Sequence, residues 1–238
     1  MINLLDPSNV IKSMFDAGRY EKMRDYCGDI LAKSPDDMMA LQNMSLALIC
    51  LRQYEEALSY CDRVLRLREA DEYALRNRLL ALEALHRHDE AIKTCGRILE
   101  CDPADVTALT GMGLALAQLG RHAESLPYYD RALGVSPDDV TALLNKALSL
   151  TRLGRHEEAL LLYDRAEGAD ASIRREASMA RSEIFARLGR HDEAFLAAQG
   201  VRDRDMPRII SDARRNGCTV FHQFCDNEYS DVLAGGVP

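Results

Sequence analysis

Apolar positions in this chain return every 34 residues. Leu41, Leu75, Leu109 and Leu143 form one series, and Leu48, Leu82, Leu116 and Leu150 follow them at a distance of seven. Seven residues are two turns of α-helix, so both series lie on one apolar face, with Ser45, Leu79, Gly113 and Ala147 between them. A second set, Ala57, Ala91, Ser125 and Ala159, is followed four residues on by Cys61, Cys95, Tyr129 and Tyr163. A one-residue insertion then carries the register to Ala194 and Ala198. Each unit predicts two amphipathic helices, and the chain reads as all-α.

The punctuation repeats with the same period. LGRH stands at 119–122, 153–156 and 188–191, and AGRY at 17–20, LRQY at 51–54 and LHRH at 85–88 fill the same place. Leu ends the first helix of the unit, Gly takes the left-handed conformation after it, and the acidic residues behind His open the second helix near its positive end. SPDD, DPAD and SPDD around Pro35, Pro103 and Pro137 stop that second helix and cap the next unit. One helix pair cannot bury its own apolar face, so the fold grows by stacking copies.

These residues resemble the tetratricopeptide repeat family, whose 34-residue pattern runs Trp-x2-Leu-Gly-x2-Tyr, then Ala-x3-Phe, then Pro. The best copy is LTGMGLAL at 109–116 with SLPYY at 125–129 and Pro137. Six units begin near 4, 38, 72, 106, 140 and 175, so the repeat domain is expected over 4–208. Leu replaces both Trp and Tyr of the pattern, and Arg78 and Lys146 occupy a slot that is usually apolar. The resemblance implies a right-handed superhelical solenoid of about six helix pairs, with the first helix of each pair lining a concave groove. Residues 207–238 are expected to add a capping helix and an aromatic tail.

Composition narrows the partners. The 30 basic and 38 acidic residues give a net charge of −8, which opposes the phosphate neutralisation behind nucleic-acid affinity, so no nucleic acid is expected. No apolar run approaches the ~20 residues that span a bilayer. The opening MINLLDPSNVIKS lacks the layout of a secretory signal, and a cytoplasmic protein without membrane insertion is expected. Cys27, Cys61 and Cys95 stand 34 apart in equivalent places, too distant for bridging between stacked copies, and read as small buried side chains.

From the family register, the groove is expected to bind a peptide or helix through apolar anchors. Met39, Gln42, Asn43, Leu46 and Ile49 belong to the second unit, and Tyr73, Arg76, Asn77, Leu80 and Glu83 to the third. Thr110 and Leu114 follow in the fourth, then Leu144, Asn145, Leu148 and Arg152 in the fifth. Leu46, Leu80, Leu114 and Leu148 form a ladder at a place often polar in relatives. Two readings of it stand: packing between neighbouring first helices, or an exposed apolar strip of the kind that marks binding sites. The clamp of Lys and Asn with which some relatives grip a C-terminal acid is not matched at Gln42, Leu46, Tyr73 and Thr110. Arg76, Glu83 and Arg152 would set polarity.

His88, His122, His156 and His191 recur at the turn, too far apart to share one metal, and are read as rings packed within their own helix pairs. In the tail, Cys218, His222, Cys225 and Asp226 have the spacing C-x3-H-x2-C without a second cysteine pair, which is not a standard zinc site. No base or oxyanion site accompanies these thiols, so no cofactor and no catalysis are expected. Ile209 and Ile210 are expected to cap the last helix pair, with Phe221 and Phe224 beyond them. The alternatives are a self-assembling homo-oligomeric scaffold and an adaptor autoinhibited by its own tail. A metal or thiol activity in the tail is the reading from another class.

Overall fold

The computed structural model describes residues 6–221, in which thirteen α-helices and one 3-10 turn are found and no strand. The chain divides at Gly120 into two compact units. The first contains α1 (Pro7–Asp16), α2 (Tyr20–Lys33), α3 (Met38–Cys50), α4 (Tyr54–Leu67), α5 (Glu72–Ala84), α6 (His88–Cys101) and α7 (Val106–Gln118). The second contains α8 (His122–Val135), α9 (Val140–Arg152), α10 (His156–Ala169), α11 (Arg174–Arg187), α12 (His191–Ala198) and α13 (Met206–Arg215), with the 3-10 turn Ala171–Ile173 ahead of α11.

Each start and stop has a local cause. Asp37, Asp71, Asp105 and Asp139 cap α3, α5, α7 and α9, each accepting the N–H three residues on. The second helices use a different device. Arg87, Arg121, Arg155 and Arg190 stand at the N-cap without capping through their side chains, and each pairs with the glutamate three residues later. Those glutamates lie in the first turn, where the helix dipole also favours negative charge. The arginine hydrogen bonds hold Glu90, Glu124 and Glu158 below their usual range.

At the turn, Gly120 and Gly154 both have φ of 75°, and the same place is taken by Arg52 at 61° and His86 at 55°. The N–H that follows closes a Schellman bond, as in Gln53 to the Leu48 carbonyl (2.8 Å), Arg87 to Leu82 (2.9 Å) and Arg155 to Leu150 (2.9 Å). Hydrogen bonding thus imposes a left-handed residue on every copy, whether or not the sequence supplies glycine.

The two leucine series are buried throughout, as are Ala57, Ala91, Ser125 and Ala159. Cys27, Cys61 and Cys95 are free and fully buried, and burial raises their thiols to about 11, 11 and 12. Ala198 departs from this register and is exposed, because α12 ends there after eight residues. In the second unit α13 completes the core: Met206, Ile209, Ile210 and Ala213 are buried with Leu196, Ala197 and Val201. Phe221 sits edge-on to Phe195 at 5.6 Å and stays about half exposed. Phe224, His222, Cys225 and Asp226 lie outside the described residues.

Arg78 and Lys146 are explained by what faces them. In other copies that slot holds Met44 and Met112, whose methyl groups lie 3.8 and 4.0 Å from where a Cβ would stand on Gly28 and Gly96. Where the slot is basic, the facing residue is an aspartate: Asp62 meets Arg78 at 3.1 Å, and Asp130 meets Lys146. The insertion before α11 moves the next basic residue to Arg181, which faces Asp164 at 3.7 Å. Methionine over glycine and cation over aspartate are two solutions to the same space.

Candidate functional site

In the first unit the family register places the candidate residues along α3, α5 and α7. Tyr73 and Leu80 on α5 are 69% and 49% exposed, while Leu46 and Leu114 are half-buried. Met39, Leu46 and Ile49 are partly buried and pack against the cluster that joins Ile11, Met23 and Cys27 to Met44, Ala47, Leu48 and Ala57. The ladder is therefore uneven, most open in the middle of the unit. In the second unit Leu148 is 46% exposed, Leu144 packs on the core, Asn145 is half-buried and Arg152 is exposed.

The polar candidates are mostly engaged inside the fold. Gln42 Nε2 donates to both oxygens of the Asp71 carboxylate at 2.9 Å, and Arg76 Nη2 donates to Asp105 at 2.6 Å. Each bond runs from the fifth residue of one first helix to the N-cap of the next, so these side chains tie copies together. Asn43 donates to the Met39 carbonyl at 2.7 Å. Asn77 donates to Ser45 Oγ at 2.9 Å and to the Gln42 carbonyl at 3.3 Å. Thr110 is buried.

Glu83 differs from all of these. It is half-buried, and its carboxylate has no hydrogen-bond or ion-pair partner among the described residues. Burial alone pushes it above the usual carboxylate range. It lies against Gly111 on α7, where a Cβ would stand 3.2 Å from Glu83 Oε1. Gly111 occupies the place that Asn43, Asn77 and Asn145 hold in other copies.

Two features escaped the sequence reading. A cavity of about 500 Å3 lies among α10, α11, α12 and α13, with Leu160, Leu161, Met206 and Ile210 on its apolar side and Arg190, Glu193, Asp203 and Arg214 on its polar side. Arg190 stacks 4.6 Å over the Phe185 ring. Beside it Arg181, fully buried, pairs with Glu167 at 3.1 Å and Asp203 at 3.2 Å, and Arg174 and Arg202 approach the same glutamate. Burial raises Asp203, against the pull of Arg181. The signal for Arg181 was available in the alternation of the slot, once the insertion was counted.

His88, His122, His156 and His191 are the first residues of their helices; the first three are half-buried and His191 is exposed. Among the described residues no group of three or more His, Cys, Asp or Glu side chains is arranged to hold a metal ion.

Comparison with known proteins supports the repeat directly. The sequence profile of the tetratricopeptide repeat family matches residues 43–106 and 110–173, more than half of the chain. Among curated protein sequences none matches. Among solved structures, MamA residues 41 to the end from Desulfovibrio magneticus RS-1 superposes with a TM-score of 0.66 at 20% identity, covering 70% of this chain and 94% of that one. MamA of MSR-1 gives 0.62 at 20% identity, covering 72% and 99%. A further MamA crystal structure gives 0.63 at 14% identity, covering 70% and 91%. At these identities the likeness is one of fold.

Proposed function

Because this chain belongs to the tetratricopeptide repeat family, we propose that it is a non-catalytic protein-interaction module that holds a peptide or helix on its first-helix face. The observation that carries this reading is the open apolar stripe of α5. Tyr73 and Leu80 stand seven residues apart, two helical turns, and both are exposed. Leu46 and Leu114 extend the stripe onto α3 and α7. Exposed apolar surface organised in this way suits helix-in-groove recognition or an extended segment with apolar anchors. Gln42 and Arg76, already bonded to Asp71 and Asp105, hold the copies in place, and the partner is read by the apolar residues between them.

The net charge of −8 argues against nucleic acid. Among the described residues no helix is long and apolar enough to cross a membrane. We place the protein in the cytoplasm. A Leu80→Glu, Leu114→Glu double variant, checked as folded by circular dichroism, tests the reading against wild type in affinity capture from native extract. The partner is expected with wild type and lost with the variant. Equal capture by both would move the site elsewhere, and recovery of only more of the same chain would favour the homo-oligomeric scaffold.

A further inference from the structure

The cavity of about 500 Å3 in the second unit is distinct from the first-helix stripe, since α10 and α13 supply most of its wall. Its volume falls within the range of about 300–1,000 Å3 typical of sites that take a ligand. Leu160, Met206 and Ile210 form a closed apolar floor, whereas Leu161, on the same wall, is 72% exposed. Ser59, Lys93 and Pro127 hold the place of Leu161 in three earlier copies, so the 34-residue repeat does not call for a large apolar side chain there. An exposed leucine beside an apolar floor is a seat for apolar side chains from outside the helices.

The charges of the cavity are paired within the fold, with one exception. Arg190 pairs with Glu157 at 3.3 Å and Glu193 at 3.2 Å, and Asp203 pairs with Arg181 at 3.2 Å. Arg214 lines the same cavity, is exposed, and its guanidinium has no hydrogen bond or ion pair among the described residues. The whole of α13 carries Arg208, Arg214 and Arg215 against Asp212. These features fit an occupant that is both acidic and apolar, and the chain contains such a segment. Residues 222–238, outside the described part, hold Asp226, Glu228 and Asp231, no Lys or Arg, and the apolar Phe224, Tyr229, Val232 and Leu233. They follow Phe221, whose ring lies 5.6 Å from Phe195 on α12, the helix that also gives Glu193 to the cavity wall. At ~3.3 Å per residue a segment of this length reaches about 55 Å, several helix diameters.

We propose that residues 222–238 dock in this cavity of their own chain, seating an apolar side chain against Leu161 and pairing an acidic one with Arg214. Tethering favours the chain's own tail over a copy from solution, because a short flexible linker gives an effective concentration on the order of millimolar. The pairing of arginine with carboxylate sets the orientation and disfavours basic segments. The second-helix side thus carries a docking site separate from the first-helix stripe, and a partner that uses it has to displace the tail.

Photo-cross-linking in the full chain tests this. The photoreactive p-benzoylphenylalanine takes the place of Leu161, or for comparison of Met179, which is 64% exposed on the first helix α11. After irradiation of the dilute protein, mass spectrometry of the digest locates the cross-links. The label at 161 is expected to capture residues 222–238 within a single chain, and the label at 179 is not. Arg214→Glu should remove most of that capture, and Asp226→Lys, Glu228→Lys and Asp231→Lys together in the same chain should restore it. Capture that survives Arg214→Glu would overturn the charge pairing on which the docking is argued. Cross-links from 161 that join two chains would overturn the inference in favour of a second copy. Capture of the tail from 179, alone or equally with 161, would place it on the first-helix face or on no fixed site. Failure of the label at 161 to reach 222–238 at all would overturn the inference outright.

Discussion

The left-handed turn residue shows how one backbone demand is met by unequal side chains. A non-glycine residue in that region costs roughly 1–2 kcal/mol, offset in part because glycine loses more freedom on folding. His86→Gly is therefore expected to stabilise the chain by about 0.5–1 kcal/mol, and Gly154→Ala to destabilise it by about 1–2 kcal/mol, both read from urea unfolding midpoints. The same scale governs Glu83. Its folded pKa is raised, so the ionised form burdens the native state above that pKa, and the burden vanishes once pH falls below the ordinary value of 4.5. Glu83→Gln should be more stable than wild type at pH 7, and the difference should close as pH falls below 4.5; a difference that persists at low pH would show that the substitution acts through packing.

Between helices, the deciding feature is which pairs of residues face each other. The 34-residue register was enough to place the helices, the caps and the buried leucines, because those depend on period and local hydrogen bonding. It made Arg78 and Lys146 look like misfits, because their partners Asp62 and Asp130 sit 16 residues earlier, a spacing that no single helix brings together. Facing residues become visible only when the two helices are packed, and then Gly28 with Met44 and Asp62 with Arg78 are alternatives in one slot. Arg181 is the extreme case, with Glu167 buried beside it and Asp203 partly so. Arg181→Met should cost about 3–5 kcal/mol, since it removes the fully buried cation beside Glu167 and leaves only the part-exposed Arg174 and Arg202 to face it, and Glu167→Gln in the same chain should recover a large part of that loss. A double-mutant cycle by thermal unfolding checks this, and strict additivity would mean that packing, not charge, holds the site.

At the scale of the whole chain, stability in a stacked fold is close to a sum over neighbours, so damage at one end should stay local. Exposure of the candidate stripe follows the same logic and was therefore hidden from the sequence: Leu46 and Leu80 occupy identical register positions, yet Leu46 packs on the Ile11 and Met23 cluster while Leu80 remains open. The C-terminal end supplies the sharpest test. Met206, Ile209 and Ile210 on α13 are buried, and each large apolar side chain removed from water contributes about 1.5–3 kcal/mol. Deleting 206–238 uncovers Leu196, Ala197 and Val201. Hydrogen exchange on the shortened chain should show α10, α11 and α12 losing most of their protection while α3 to α6 keep theirs. Uniform loss along the chain would mean one cooperative unit and refute the neighbour-sum picture. Retained protection in α11 and α12 would mean that α13 is not their cap, and that its apolar face serves the cavity it shares with Leu160 and Leu161 instead.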